Sequence, residues 1–348
     1  MDKFILPEYD NSIVSLASSI RRYFELDVYH NTLSDIDKIL EEYKPKNVVV
    51  ILFDGMGSRL IKKILGENSF LYRNMLKEIS SVVPATTTAS TTSMLTGLTP
   101  VEHGWLAWDL YFKKEDKIVT MFTNKIKDTD IDADSVSLAR KYFPYKDICE
   151  LINEDGKHYA KLIASFNENR YEDIDDMISK IKSSLNIKDK NYIYVYNPEP
   201  DTTMHITGTD SKETRDYFEL INKKVEELYN TISDDTLLIV VADHGHINCD
   251  TIILEDYKDI FDTLAGDTSF EGRLCSFKIK DDREEEFVYL FNKYFRDSLG
   301  DYFALAYSNK YFKYRNVGHI HKSTHAGLTE VEMKIPLIIL NKCKVKRK

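Results

Sequence analysis

Five short runs of consecutive apolar residues punctuate the chain at 47–53 (NVVVILF), 159–164, 192–196 (YIYVY), 236–241 (TLLIVV) and 335–340 (IPLIIL). Successive residues of a strand point to opposite faces, so an unbroken apolar run reads as a strand buried on both sides. Between the runs, residues 11–24, 33–43, 57–65, 171–185, 211–231 and 282–296 carry helical spacing, several with Asp, Glu and Lys gathered on one face. Strand alternating with helix predicts an α/β fold, a mostly parallel central sheet with helices on both faces. No repeat, low-complexity tract or Pro/Gly/Ser linker divides it, so residues 1–348 are expected to form a single domain. Segments 109–158 and 246–322 break the alternation and are rich in aromatics such as Tyr142-Phe143 and Tyr302-Phe303. They read as insertions forming a lid or substrate cleft, with plain surface loops as the alternative.

Composition narrows the partners. Hydrophobic residues make up 43% and charged residues 30% of the chain, enough to bury a sizeable core. The net charge of −10 excludes a binder of nucleic-acid polymers, which needs a basic footprint. The opening residues, MDKFILPEYDNSIVSLASSIRRYF, lack a basic stretch followed by an apolar one. No segment reaches the ~18 apolar residues of a membrane span. A cytoplasmic protein without membrane contact is expected. Cys149, Cys249, Cys275 and Cys343 are far apart, with no C-x-x-C, which argues for buried or unreactive thiols rather than disulfides or a zinc knuckle.

The chemistry sits at the ends of the apolar runs. In parallel sheets, ligands bind outside the carboxyl ends of the strands. Asp54 directly follows 47–53, Asp201 follows 192–196 after Asn-Pro-Glu-Pro, and Asp243-His244 follows 236–241. Each has a bland reading. Asp54-Gly55 suits a tight turn, and Asp243-His244-Gly245 a loop start. Asp201 and His205 have the i, i+4 spacing that suits shared metal ligation, but equally fit a helix cap with a surface histidine. His325 alone is an ordinary loop histidine. Residues 83–97, VPATTTASTTSMLTG, combine a strand-stopping proline, a cluster of cap-forming hydroxyls and a return to apolar residues. A threonine at such a helix start would face free backbone N–H groups and the positive end of the dipole, which stabilise an alkoxide and a phosphoryl oxygen.

Taken in order, these residues resemble the alkaline phosphatase superfamily, and most closely its nucleotide pyrophosphatase/phosphodiesterase branch. Asp54-Gly55 matches the family's metal-binding Asp-Gly after the first core strand. Thr96-Gly97-Leu98-Thr99-Pro100-Val101-Glu102-His103-Gly104 matches its Thr-Gly-Leu-x-Pro-x-x-His-Gly segment, which places Thr87 at the nucleophile. Its Asp-x-x-x-His falls on Asp201 and His205, its Asp-His-Gly on Asp243, His244 and Gly245, and its final His on His325. The resemblance spans roughly 47–110 and 190–340. It implies an alkaline phosphatase-like fold and two divalent metal ions. One would be held by Asp201, His205 and His325, the other by Asp54, Asp243 and His244 with Thr87. Mixed nitrogen and oxygen donors favour Zn²⁺, with Mn²⁺ and Fe²⁺ still open. Two dications against three carboxylates leave one positive charge, so a phosphoryl group is attracted despite the acidic chain.

The implied activity is hydrolysis of phosphate esters by a phosphodiesterase or nucleotide pyrophosphatase, through a phosphothreonine intermediate. The substrate is then a small phosphorylated molecule, a nucleotide among the candidates. One departure bears on it. An Asn follows the family's nucleophile by twenty-one positions, and here that position is Trp108. Trp108 can stack on a base or aromatic leaving group, or serve only as a core or lid aromatic. His246 lies close enough to an implied ligand to support it or to touch substrate, with a plain surface role as the alternative. His103 is expected to pack structurally, and His319 and His321 lack the carboxylate that a third metal would want. A phosphomonoesterase or phosphonate hydrolase with the same metals is the competing enzyme. No Cys/Ser-x-Pro-x-Arg segment favours a sulfatase, and phosphoglycerate mutases of this superfamily use Ser and a longer insertion. A non-catalytic phosphate or nucleotide sensor would keep the ligands but need no nucleophile.

Overall fold

The computed structural model describes residues 3–295, 304–305 and 309–342. Its centre is a six-stranded sheet of β1 (Asn47–Phe53), β2 (Met75–Ser80), β3 (Tyr159–Ala164), β4 (Asn191–Asn197), β5 (Thr236–Val241) and β6 (Lys334–Leu340), in the order β2-β6-β5-β1-β4-β3. β5, β1, β4 and β3 pair in parallel. Only β6 runs the other way, antiparallel to both β5 and β2. The expected mostly parallel sheet is therefore present, with one reversed strand inside it. β1 and β5 are buried at every position, as their unbroken apolar runs require.

Helices cover both faces. One set comprises α1 (Ile13–Tyr23), α2 (Ser34–Tyr43), α4 (Thr87–Thr96) and α5 (Ile148–Asp155), which pack on one another. The other comprises α3 (Ser58–Leu65), α6 (Ile174–Ser183), α7 (Asp201–Thr207) and α8 (Lys212–Thr231). Among the elements absent from the hydrophobic pattern, three are absent for clear physical reasons. β2 is an edge strand whose MLKEIS sequence is only partly buried. α4 is buried almost all round and has no polar face, and Thr91 and Thr96 satisfy their hydroxyls on carbonyls four residues back. α5 is short, and its Ile148, Cys149 and Ile152 join the main core, so the first insertion ends before residue 148.

The two insertions meet. Asp109–Phe112, Lys117–Thr120 and Lys125–Ile126 from the first and Ser269–Phe270, Leu274–Ser276 and Ala304–Leu305 from the second form one antiparallel sheet. The join is the pairing of Asp109 with Phe270. Each insertion has its own apolar cluster, one around Phe112, Val119 and Leu138, the other around Leu254, Phe287 and Phe312. Tyr302, Phe303 and Cys343 lie outside the described residues. No helix among the described residues is long and apolar enough to cross a membrane.

Candidate metal centre and active-site cleft

Three neighbouring strands deliver the carboxylates. Asp54 follows β1, and Asp201 opens α7 after β4. Asp243 follows β5, on the other side of β1. Backbone bonds tie the ends together, from Asp54 N to Asn197 O (2.9 Å) and from Asp201 N to Asp54 O (3.1 Å). Gly55 makes this possible. Its φ of +72° is a left-handed conformation that suits glycine, and a Cβ there would stand 3.0 Å from that of Asp201. Gly245 is tighter still, since a Cβ would lie 1.8 Å from Val331 O.

Thr87 is the first residue of α4, after Thr86 at the N-cap. Its hydroxyl lies 3.1 and 3.3 Å from the two Asp54 oxygens and 3.3 Å from His244 Nε2. His205 Nε2 is 3.4 Å and His325 Nε2 3.8 Å from the Asp201 carboxylate. All seven residues implied by the resemblance thus converge. Asp201 lies with His205 and His325 but also within reach of Asp54 and His244, and Thr87 adjoins those last two.

The donors fit bound metal. His205 Nδ1 meets Ser323 O at 2.9 Å, His244 Nδ1 meets Gly245 O at 3.0 Å and His325 Nδ1 meets Ala85 O at 3.2 Å. A carbonyl only accepts, so Nδ1 carries the proton and Nε2 turns a lone pair inward, as metal-ligating histidines require. Asp243 Oδ1 accepts from Gly55 N and His244 N, while its buried Oδ2 has no hydrogen-bond partner. That orphaned oxygen is what a cation would satisfy.

Electrostatics point the same way. Burial raises the Asp54 carboxyl well above the usual range, and the carboxylates of Asp243 and Asp201 push it further. Burial also raises Asp243. Asp201 is pushed up by burial, yet the fields of His205, His246 and His325 bring it well below the usual range. Burial lowers His205 to about 4 and His325 well below its ordinary value, so both imidazoles are neutral at pH 7 and free to offer a lone pair. The Tyr196 phenol, held protonated by burial and by Asp54, donates to Asp54 Oδ2.

A cleft of about 1100 Å³ opens from Thr87 and is lined by Trp108, Phe122, Phe166 and Tyr196. Their rings follow one another at centroid distances of 5.8, 6.3 and 5.5 Å. Trp108 is 43% and Phe166 68% exposed, so Trp108 stands at the cleft wall rather than in the core. Arg140 and Lys161 also line it. His246 has no exposed surface and contacts Asp201 rather than the cleft. His103 packs between Ser93 Oγ and Trp105 N. His321 lies against His205, with ring centroids 4.2 Å apart.

Sequence reasoning did not find Tyr196, Ser323 or Glu271. Tyr196 carries a faint signal, as the last aromatic of a strand ending at the site. Glu271, from the second insertion, accepts from Thr86 Oγ1 (2.6 Å) and Trp108 N (2.7 Å), and burial raises it to about 7. Nothing near it in sequence announces that role. Among the described residues the thiols are free, with burial raising Cys249 to about 11 and Cys275 to about 12.

Fold and site together define a metal-dependent phosphoric-ester hydrolase with the alkaline phosphatase architecture. The family model for type I phosphodiesterase / nucleotide pyrophosphatase matches residues 48–325, and the chain belongs to that family. Among solved structures, murine ectonucleotide pyrophosphatase / phosphodiesterase 5 is similar at 18% identity and a TM-score of 0.65, over 84% of this chain and 88% of that one. An inactive threonine-to-alanine variant of the murine protein, in complex with AMP, matches at 17% identity and 0.65, over 84% and 87%. Phosphonoacetate hydrolase from Sinorhizobium meliloti, in complex with phosphonoformate, matches at 15% and 0.60, over 85% and 90%. No curated protein sequence matches the chain.

Proposed function

We propose that the protein is a two-metal phosphodiesterase or nucleotide pyrophosphatase that works through a phosphothreonine on Thr87. The observation that carries this reading is the position of Thr87, at the start of α4, within 3.3 Å of Asp54 and His244 and open to the aromatic cleft. Asp201, His205 and His325 would hold one ion, and Asp54, Asp243, His244 and Thr87 the other, with Zn²⁺ the ion that these donors suit best. When bound, the two ions supply Lewis acidity at the attacking and leaving oxygens.

The chain's own residues do the rest. Asp54 and His244 orient the Thr87 hydroxyl. The first N–H groups of α4 point toward the phosphoryl oxygens, where the helix dipole favours negative charge. Thr87 Oγ attacks phosphorus, the bond to the leaving oxygen breaks, and water then cleaves the phosphothreonine to restore the hydroxyl. The rings of Trp108, Phe122 and Phe166 offer flat surfaces to an aromatic group on the ester, such as a nucleobase. The AMP bound by the murine relative is in line with that substrate class.

Metal analysis of the purified protein, with rates on bis(p-nitrophenyl) phosphate, p-nitrophenyl phosphate and a nucleotide phenyl ester, tests the proposal. Two metals per chain and faster turnover of the diesters are expected. Rates dominated by the monoester would replace the reading with a phosphomonoesterase. Activity confined to a phosphonate such as phosphonoacetate would replace it with a phosphonate hydrolase. Two bound metals without any turnover would leave a sensor.

A further inference from the structure

His246 belongs to neither set of ligands that the family resemblance implies, yet it is the most deeply placed imidazole beside Asp201. A short ladder puts it there, with Ile247 paired to Thr324 and Asn248 to Ser323. His246 Nε2 lies 2.7 Å from Asp201 Oδ1, and its ring centroid is 4.6 Å from that of His205 and 5.3 Å from that of His325. The donor atoms of Asp201, His205, His246 and His325 all lie within 4.8 Å of one another.

The hydrogen bonds around the ring fix which nitrogen is the donor. Ser323 Oγ is 2.6 Å from Met204 O, and a carbonyl can only accept, so the serine proton is used there. The 2.8 Å contact between Ser323 Oγ and His246 Nδ1 therefore needs its proton from the imidazole. In the neutral ring, Nε2 then presents a lone pair to the Asp201 carboxylate. Two acceptors at 2.7 Å repel unless a cation lies between them.

We infer that His246 is a fourth protein ligand, through Nε2, of the ion held by Asp201, His205 and His325. The inference rests on the two-metal reading above. Three imidazole nitrogens and one carboxylate oxygen make up the four-coordinate set that Zn²⁺ prefers. An ion so enclosed accepts a substrate or water oxygen only as a fifth ligand, and it is the harder of the two to remove. The competing arrangement has His246 doubly protonated and merely hydrogen-bonded to Asp201.

The proton NMR spectrum of the Co²⁺-loaded protein in water separates the two. Each imidazole bound through Nε2 contributes one exchangeable, strongly shifted Nδ1–H resonance, and each of those protons is hydrogen-bonded in this site. Four are expected, from His205, His244, His246 and His325, with one lost in His246→Gln. Competition with a chelator should also show one Co²⁺ held at least ~10-fold less tightly in that variant. Two bound ions with three such resonances in the wild-type protein would overturn the inference and leave the two-metal reading standing. A protein that binds no metal would overturn both. The wild-type count decides the matter even if the variant fails to fold.

Discussion

In the proposed mechanism Thr87 would owe its chemistry to its surroundings, since an ordinary hydroxyl is a weak nucleophile at neutral pH. Asp54 and His244 hold it at 3.1–3.3 Å, and Tyr196 and Gly55 in turn fix the carboxylates around it. Thr87→Ala should lower kcat by roughly 10⁴-fold or more, while metal content, read by mass spectrometry of the dialysed protein, stays at the wild-type value. Near-wild-type turnover would remove Thr87 from the mechanism. His103 makes a separate prediction. Burial lowers its pKa from 6.5 to about 4, so the unfolded chain takes up the proton first as pH falls. Stability is then lost between pH 6.5 and about 4, by on the order of 2–3 kcal/mol. His103→Gln should flatten that part of the profile in urea unfolding, and an unchanged slope would refute the assignment. At this scale the sequence was most readable where several residues recur in a known order, as with Asp54, Thr87 and the Asp201–His205 pair, each of which alone also fits a turn, a loop or a cap. It was silent where chemistry is borrowed from a distant neighbour. Glu271 reaches the start of α4 from 185 positions away, and only the folded chain brings the two together.

Elements show a similar division. β1 and β5 could be read directly because burial on both faces forces a continuous apolar run, and α8 because a long surface helix must have one apolar stripe. α4 has neither pattern, since its hydroxyl-rich sequence lies inside the molecule and bonds to its own backbone. The turn from Asp243 to His246 is likewise set by packing. Gly245 N donates to Glu332 O at 2.8 Å, leaving no room for a side chain between the turn and Val331. Gly245→Ala should therefore shift Asp243, His244 and His246 together. We expect at least about 1–3 kcal/mol of lost stability in urea unfolding and weakened retention of metal. A variant with wild-type values for both would mean that the turn has slack which its contacts do not show.

For the whole molecule, the question is what fixes the insertion sheet to the core. A bidentate ion pair does much of this. Arg273 Nε and Nη2 donate to Glu332 at 2.6 and 2.9 Å, and neither side chain has exposed surface. Glu332 also accepts from Gly327 N and Thr329, and so holds the loop that carries His325. Removing one partner leaves a buried charge without its counter-charge, which costs about 3–5 kcal/mol. Arg273→Leu should show that loss in denaturant unfolding, together with reduced diesterase activity. A stable, fully active variant would separate the insertion sheet from the site. The fold class was legible because alternation is a property of the whole chain, whereas the union of the two insertions was not. It depends on the pairing of Asp109 with Phe270 across 161 positions, and each partner strand is too short to signal itself.

The reversed strand β6 has a consequence for how the protein is made. It lies between β2 and β5, so the last described strand of the chain fills a place in the interior of the sheet. While a ribosome is still synthesising residues 242–333, β5 has a bare, largely apolar edge and β2 has no partner. Such an edge is a template for pairing with other chains. A nascent or prematurely terminated chain ending before residue 334 should aggregate rather than yield a smaller active enzyme, and the proposed site can close only after residue 325 has been made.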